Sequence, residues 1–140
     1  MTIIFDFNRT LFNPDTRALM PGAFELLQGL FTQGHTLALI SRLEADREDT
    51  FRNLKIEQFF SSVEFVEEKG EALKKIITAS LPPVYVVGDH LHDEIRAANR
   101  LGAKTIWFKR GRFANLVPEE KDDEPWRVID DLMQVKGLID

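Results

Sequence analysis

Acidic and polar side chains follow the apolar runs of this sequence, at the points where strands are expected to end. Asp6 comes directly after residues 2–5, with Asn8 and Thr10 close behind it, and a second carboxylate, Asp89, follows the apolar run at residues 84–87. A phosphoryl group in transfer carries charge on three oxygens, so its site needs a nucleophile, a cation and hydrogen-bond donors. Carboxylates can also hold Mg²⁺, which prefers oxygen ligands. If the fold brings these residues together, they would suit phosphoryl transfer.

The elements that must position these residues alternate between strands and helices. Strands are predicted at 2–5, 35–40, 62–66, 84–87 and 104–108, and helices at about 24–31, 44–54, 69–80 and 93–101. The pattern predicts an α/β fold: a three-layer, Rossmann-like parallel sheet of about five strands with helices on both faces. Because the carboxyl ends of parallel strands meet at one edge, Asp6, Ser41 and Asp89 are expected to converge there.

The end of the chain is harder to interpret. Residues 126–139 are expected to form a closing helix that turns Val128, Ile129, Leu132 and Met133 toward the sheet. The short basic cluster at residues 109–112 is interpreted as a solvated loop.

Composition limits the classes of protein that this chain can belong to. Its 140 residues, 44% of them hydrophobic, predict a single domain over residues 1–140. The formal net charge of −5 argues against an extensive nucleic-acid surface. The absence of cysteine excludes disulfides and thiolate metal sites. With no apolar run of about 18 residues and no signal-peptide pattern, the chain is expected to be cytoplasmic and not to enter a membrane.

The order of these residues resembles the motifs of the haloacid-dehalogenase-like (HAD) superfamily. Asp6, Asn8 and Thr10 are similar to the first motif, Asp-x-Asp-x-Thr, and Ser41 follows a strand as the Ser or Thr of the second motif does. Lys69 matches the position of the superfamily's lysine, and Gly88-Asp89-His90-Leu91-His92-Asp93 resembles the fourth motif, Gly-Asp-x-x-x-Asp. The resemblance covers the chain from Ile3 to Phe108.

The resemblance implies a role for each of these residues. Asp6 would be the nucleophile that takes up a phosphoryl group, Ser41 would bind the phosphoryl oxygens, and Lys69 would neutralise charge. Asp6, the Asn8 carbonyl and Asp89 would hold Mg²⁺, with Asp93 next to these ligands or as an alternative ligand. Lys74 and Lys75 are the alternatives to Lys69, which is favoured because it stands at the helix start. His90 and His92 are interpreted as loop residues, because Mg²⁺ does not favour imidazole ligands.

Two departures from the superfamily pattern affect the expected activity. The connections between the motifs have room for only a helix and a short strand or loop, so a capless member is expected. Capless members tend to act on large phosphorylated substrates or to form oligomers in which a neighbour covers the site. In the superfamily the second Asp of the first motif protonates the leaving group and then activates water. Asn8 cannot do this, and such acid–base catalysis contributes roughly 10²- to 10⁴-fold.

Three hypotheses follow. The first is a magnesium-dependent phosphohydrolase or phosphotransferase that works, slowly, through an aspartyl phosphate on Asp6. The second is a non-catalytic domain that binds a phosphorylated partner. The third is a phosphoacceptor receiver domain, against which the Gly88–Asp93 segment argues.

Overall fold

Six strands form one parallel sheet in this computed structural model, which describes residues 1–139. The strands of the sheet are β1 (Thr2–Phe5), β4 (Thr36–Arg42), β5 (Ser62–Val66), β6 (Val84–Gly88), β7 (Lys104–Phe108) and β8 (Arg127–Ile129). A small antiparallel hairpin comprises β2 (Phe12–Asn13) and β3 (Ala18–Leu19). The helices are α1 (Ala23–Thr32), α2 (Arg47–Asn53), α3 (Lys69–Ala79), α4 (Arg96–Arg100) and α5 (Gln134–Leu138).

The strand order is β5-β4-β1-β6-β7-β8, which places β1 in the interior of the sheet. Its last residue, Phe5, is level with Leu39 on one side and Val87 on the other. The predicted α/β architecture is therefore confirmed, with the strand that precedes Asp6 between those that carry Ser41 and Asp89. The sheet has one strand more than the five expected.

Alternate residues of β1 face the two helical layers. Ile3 and Phe5 belong to the larger core cluster, which also contains Leu26 and Leu30 of α1. Ile4 belongs to a second cluster on the other face, where Leu73 of α3 packs. Because every apolar side chain of β1 is buried on one face or the other, the strand is rigidly held and fixes the position of the residue that follows it.

The prediction of a closing helix over residues 126–139 is wrong. Residues 127–129 instead pair with β7 as β8, where the exposed edge of the sheet supplies their hydrogen-bond partners. In this strand Ile129 is buried and Val128 is 53% exposed, as the alternation of strand side chains requires. Leu132 is buried as expected, but Met133 is 41% exposed, and only the short helix α5 follows.

The helix predicted at 93–101 begins earlier and is irregular. Residues Leu91–Ile95 form a π-helical turn that continues directly into α4. Such a turn holds one residue more than an α-helical turn and is frequent at functional sites. None of the described helices is long and apolar enough to cross a lipid bilayer.

Candidate active site

Asp6 stands one residue beyond β1 and is fixed from both sides. Its backbone N–H donates to the Val87 carbonyl at 3.0 Å, which continues the pairing of β1 with β6. The loop that follows closes on Phe7, whose carbonyl accepts from the amides of residues 10, 11 and 12 at 2.9 to 3.2 Å. This closure brings the Thr10 hydroxyl to 3.0 Å from Asp6 Oδ2, to which it donates. Asp6 is thus a buried, oriented carboxylate.

Lys69 opens α3 and extends its ammonium group to the same carboxylate. Its Nζ lies 2.5 Å from Asp6 Oδ1 and 2.9 Å from Glu94 Oε1, and the side chain is only 5% exposed. Lys75, by contrast, pairs with Glu64 on the surface of the molecule. Of these two lysines, only Lys69 reaches the strand ends.

Asp89 and Glu94 complete a buried acidic cluster with Asp6. One carboxylate oxygen from each of the three lies within 4.8 Å of the others. The Glu94 side chain folds back over the end of β6, where its Oε2 accepts from the His90 N–H at 2.8 Å. A Cβ atom at Gly88 would overlap with Glu94, so this close approach requires glycine there.

The cluster is electrostatically strained as it stands. Burial, together with the charges of Asp6 and Glu94, raises the pKa of Asp89 to about 9. Burial likewise raises the pKa of Glu94 to about 7, although Lys69 opposes this. Burial alone would lower the pKa of Lys69, but the neighbouring carboxylates Asp6 and Glu94 outweigh it and raise that pKa.

The residues present fit a divalent cation. Three carboxyl groups surround one ammonium group, so full ionisation leaves a net negative charge inside the protein. Asp89 Oδ2 is buried and has no hydrogen-bond partner among the described residues. A buried carboxylate oxygen in that state is costly unless a cation or a proton binds it. An all-oxygen donor set is also the kind that Mg²⁺ prefers.

A cavity of about 220 Å³ opens onto this cluster. Asn8, Arg42 and Asp93 lie on its wall beside the buried group. The Asp93 carboxylate is 2.8 Å from an Arg42 guanidinium nitrogen, and Arg42 also donates to the Glu67 carbonyl at 3.1 Å. Asp93 therefore has a cationic partner already, whereas Asp89 does not.

The structure brings together most of the residues predicted from sequence. Asp6, Asn8, Lys69, Asp89 and Asp93 all line the cavity. Ser41 does not line it: this buried side chain, at the end of β4, donates to the Arg42 carbonyl at 3.3 Å. The phosphoryl-binding role of Ser41 and the individual roles of the other five remain predictions.

The two histidines differ in their surroundings. The His92 ring lies 2.8 Å from the Val117 carbonyl, outside the cavity. His90 accepts from the His92 N–H through Nδ1, and its ring lines the cavity and packs against Phe113 with centroids 4.2 Å apart. Burial lowers the pKa of His90, which favours the neutral ring.

Sequence reasoning missed two sets of residues. Glu94, which lies in the π-helical turn, contacts Lys69 and belongs to the buried carboxylate cluster, and the sequence motif did not indicate this. The basic cluster at 109–112 is not merely solvated, since Arg112 lines the cavity together with Phe113 and Arg9. Two features of the sequence could have indicated these residues: Gly88, where a side chain approaches the backbone closely, and Phe113, the aromatic residue beside the basic cluster.

Comparisons with known proteins found related sequences. A family model described as HAD-hydrolase-like matches residues 69–135. Glyceraldehyde 3-phosphate phosphatase of Pyrococcus furiosus is 28% identical over a 131-residue alignment, which covers 86% of this chain and 54% of that protein. The protein of the same name from Methanopyrus kandleri is 32% identical over a 116-residue alignment, which covers 75% of this chain and 49% of that protein. The chain spans about half the length of these curated relatives.

Solved structures show the same fold. D,D-heptose 1,7-bisphosphate phosphatase of B. bronchiseptica, crystallised with magnesium and phosphate, superposes with a TM-score of 0.77 at 15% identity and 99% coverage of both chains. An uncharacterised protein from Listeria monocytogenes gives a TM-score of 0.79 at 20% identity, with 99% of this chain and 96% of that one covered.

Proposed function

Starting from the membership of this chain in the HAD-like superfamily, we propose that it is a magnesium-dependent phosphatase that works through a phosphorylated Asp6. One observation carries the proposal. Asp6 is held by Lys69 at 2.5 Å and by Thr10 at 3.0 Å, next to an Asp89 oxygen that lacks a partner. The names of the relatives support a phosphate ester as substrate.

The side chains of this chain would divide the work. Asp6 attacks phosphorus and forms an acyl phosphate, while the bond from phosphorus to the ester oxygen breaks and that oxygen leaves as an anion that takes a proton from solvent. Water then attacks the acyl phosphate, which releases inorganic phosphate and restores the Asp6 carboxylate. Lys69 fixes the attacking carboxylate and limits the repulsion between it and the phosphoryl oxygens. Asp6, Asp89 and the Asn8 carbonyl would hold Mg²⁺, with Asp93 close by. When bound, the ion supplies positive charge to the phosphoryl group.

Asn8 determines how fast the reaction can be. Its side chain lies on the cavity wall, but an amide can neither protonate a leaving group nor activate water as a carboxylate does. Formation and hydrolysis of the acyl phosphate should both be slow with ordinary alkyl phosphates. A leaving group that is stable as an anion avoids the first of these difficulties.

Access to the site suggests the range of substrates. The connection from β4 to β5 contains only α2 and a short 3₁₀ turn, and that from β1 to β4 only the hairpin and α1. No cap domain is therefore inserted between these strands in the described part of the chain. An open site of this kind would accept a phosphorylated group on a large molecule, or a second copy of the chain could cover it.

The test is phosphate release from p-nitrophenyl phosphate, whose leaving group is a stable anion. We expect magnesium-dependent turnover by the unaltered protein and none by Asp6→Asn. The matched control is Asp49→Asn, which makes the same charge change at an exposed position on α2 and should leave turnover unchanged. Turnover that survives in Asp6→Asn would refute the assignment of Asp6 as the nucleophile.

Asn8 also favours a second candidate function. A site with a cation, a carboxylate cluster and no acid–base group can bind a phosphorylated partner without hydrolysing it. In that case the protein would bind phosphorylated ligands in the presence of magnesium but release no phosphate, with or without the Asn8→Asp substitution.

A further inference from the structure

Arginine side chains surround the mouth of the site, although the protein as a whole carries a net charge of −5. Two outer cavities, of about 350 and 460 Å³, adjoin the first and share Arg9 and Arg112 with it. Neither outer cavity is lined by Asp6, Lys69 or Asp89. The arginines that line one or both outer cavities are Arg9, Arg17, Arg47, Arg110 and Arg112.

Arg9 and Arg112 are distinguished from the other three arginines because each lines all three cavities and packs near the same aromatic ring. Arg42 pairs with Asp93 and Arg47 with Glu44, but within residues 1–139 neither Arg9 nor Arg112 forms an ion pair with a carboxylate. Instead, both guanidinium groups pack near the ring of Phe113, at 5.7 and 5.4 Å from its centroid. Two like charges beside one ring repel each other, and an anion bound between them would relieve that repulsion.

The local backbone holds Arg9 in this position. Arg9 adopts a left-handed conformation, with φ of 63°, that residues other than glycine rarely take. Its N–H donates to the Phe12 carbonyl at 2.8 Å, within the same loop that orients Asp6. The position of Arg9 is thus tied to that of the nucleophile, only three residues away.

We propose that Arg9 and Arg112 bind a second phosphate group of the substrate, so that the preferred substrate carries two phosphate groups. The inference rests on the proposed phosphatase function. The first phosphate would lie against Asp6, and the second would lie at the mouth, where both arginines face the outer cavities. Guanidinium groups bind phosphate oxygens through paired N–H donors, which gives geometric selection as well as attraction. Without a cap, the loops at the sheet edge must supply this selectivity.

The test compares catalytic efficiency toward fructose 1,6-bisphosphate with that toward the corresponding 1- and 6-monophosphates. For the unaltered protein, kcat/KM should be roughly 10- to 100-fold higher for the bisphosphate, as expected when charge-assisted hydrogen bonds are gained. In Arg9→Gln and in Arg112→Gln this ratio should fall toward one.

The matched control is Arg127→Gln. Arg127 also packs on an aromatic ring, that of Trp126 at 4.4 Å, but it does not line these cavities. The Arg127→Gln variant should therefore show the same ratio of bisphosphate to monophosphate kcat/KM as the unaltered protein. Equal efficiency toward bisphosphate and monophosphates, or an unchanged ratio in both arginine variants, would overturn the second-phosphate site and leave the phosphatase proposal standing. Hydrolysis of none of the three substrates, nor of p-nitrophenyl phosphate, would overturn both.

Discussion

Replacing Asp89 by asparagine is expected to make the protein more stable without magnesium and to abolish its response to magnesium. The substitution keeps the size of the side chain and removes a carboxyl group that is buried beside two others. Asparagine can donate a hydrogen bond to Asp6 and needs neither a proton nor a cation to be neutral. The variant therefore separates the destabilisation caused by the buried carboxyl group from the role of that group in binding magnesium.

The pKa of Asp89 sets the size and the pH dependence of the effect. That pKa is raised from 3.8 to about 9, chiefly by burial. Between those values the folded state binds more protons than the unfolded state, so the free energy of unfolding falls as the pH rises. Replacing buried charges by neutral groups of similar size stabilises proteins by about 1–4 kcal/mol, and we expect about 1–3 kcal/mol at about pH 8.

Thermal unfolding measures both parts of the prediction. For a chain of this length, about 1 kcal/mol corresponds to a shift in Tm of roughly 3–5 °C. Without magnesium, Asp89→Asn should exceed the unaltered protein in Tm, and the difference should shrink as the pH is lowered to about 4. Magnesium at a hundredfold excess over Kd should raise the free energy of unfolding of the unaltered protein by about 2.7 kcal/mol and so raise its Tm, and it should leave the Tm of the variant unchanged.

The control for charge is again Asp49→Asn, which should behave like the unaltered protein at every pH and magnesium concentration. A variant at position 89 that is less stable than the unaltered protein at about pH 8 would refute the claim that this carboxyl group is electrostatically strained. A variant that magnesium still stabilises fully would refute the metal site.

Three further predictions concern neighbouring residues. Asn8→Asp should raise turnover of an alkyl phosphate by roughly 10²- to 10⁴-fold, measured as phosphate release, and no change would show that the position takes no part in proton transfer. Lys69→Met should lower the free energy of unfolding, measured in urea, by about 3–5 kcal/mol, because it leaves buried carboxylates without their cation. Lys75→Met, which breaks an exposed ion pair, should lower it by under about 1 kcal/mol. Gly88→Ala should abolish turnover and lower Tm, because the added Cβ displaces the Glu94 side chain that packs against this position. Gly70→Ala, where the added Cβ meets open space, should leave turnover unchanged, and equal effects of the two substitutions would contradict the packing argument.

The residues at strand ends could be predicted from the sequence because topology alone brings them together. Asp6 and Asp89 follow adjacent strands, and a parallel sheet places the ends of such strands at one edge. Lys69 could be chosen over Lys75 because it begins a helix that packs against the same sheet. These inferences needed the order of elements and not the details of packing.

Other parts of the site depend on structural details that the hydrophobic periodicity of the sequence does not predict. Within the π-helical turn Glu94 contacts Lys69 while the adjacent Asp93 pairs with Arg42, and helical periodicity does not indicate this division. Arg112 belongs to a short segment whose composition is that of any solvated surface, and the tertiary contact of its neighbour Phe113 with His90 places this segment at the cavity. The strand β8 has three residues, too few for an alternation to be recognised.

The central claim is that Asp6 accepts a phosphoryl group, and intact-mass measurement tests it most directly. The protein is mixed with acetyl phosphate and magnesium and its mass is then followed with time. Because Asn8 slows hydrolysis of the intermediate more than its formation from an activated donor, the unaltered protein should accumulate the mass of one phosphoryl group. Asp6→Asn should gain none. An unaltered protein that never acquires this mass, or an Asp6→Asn variant that acquires it equally, would contradict the account.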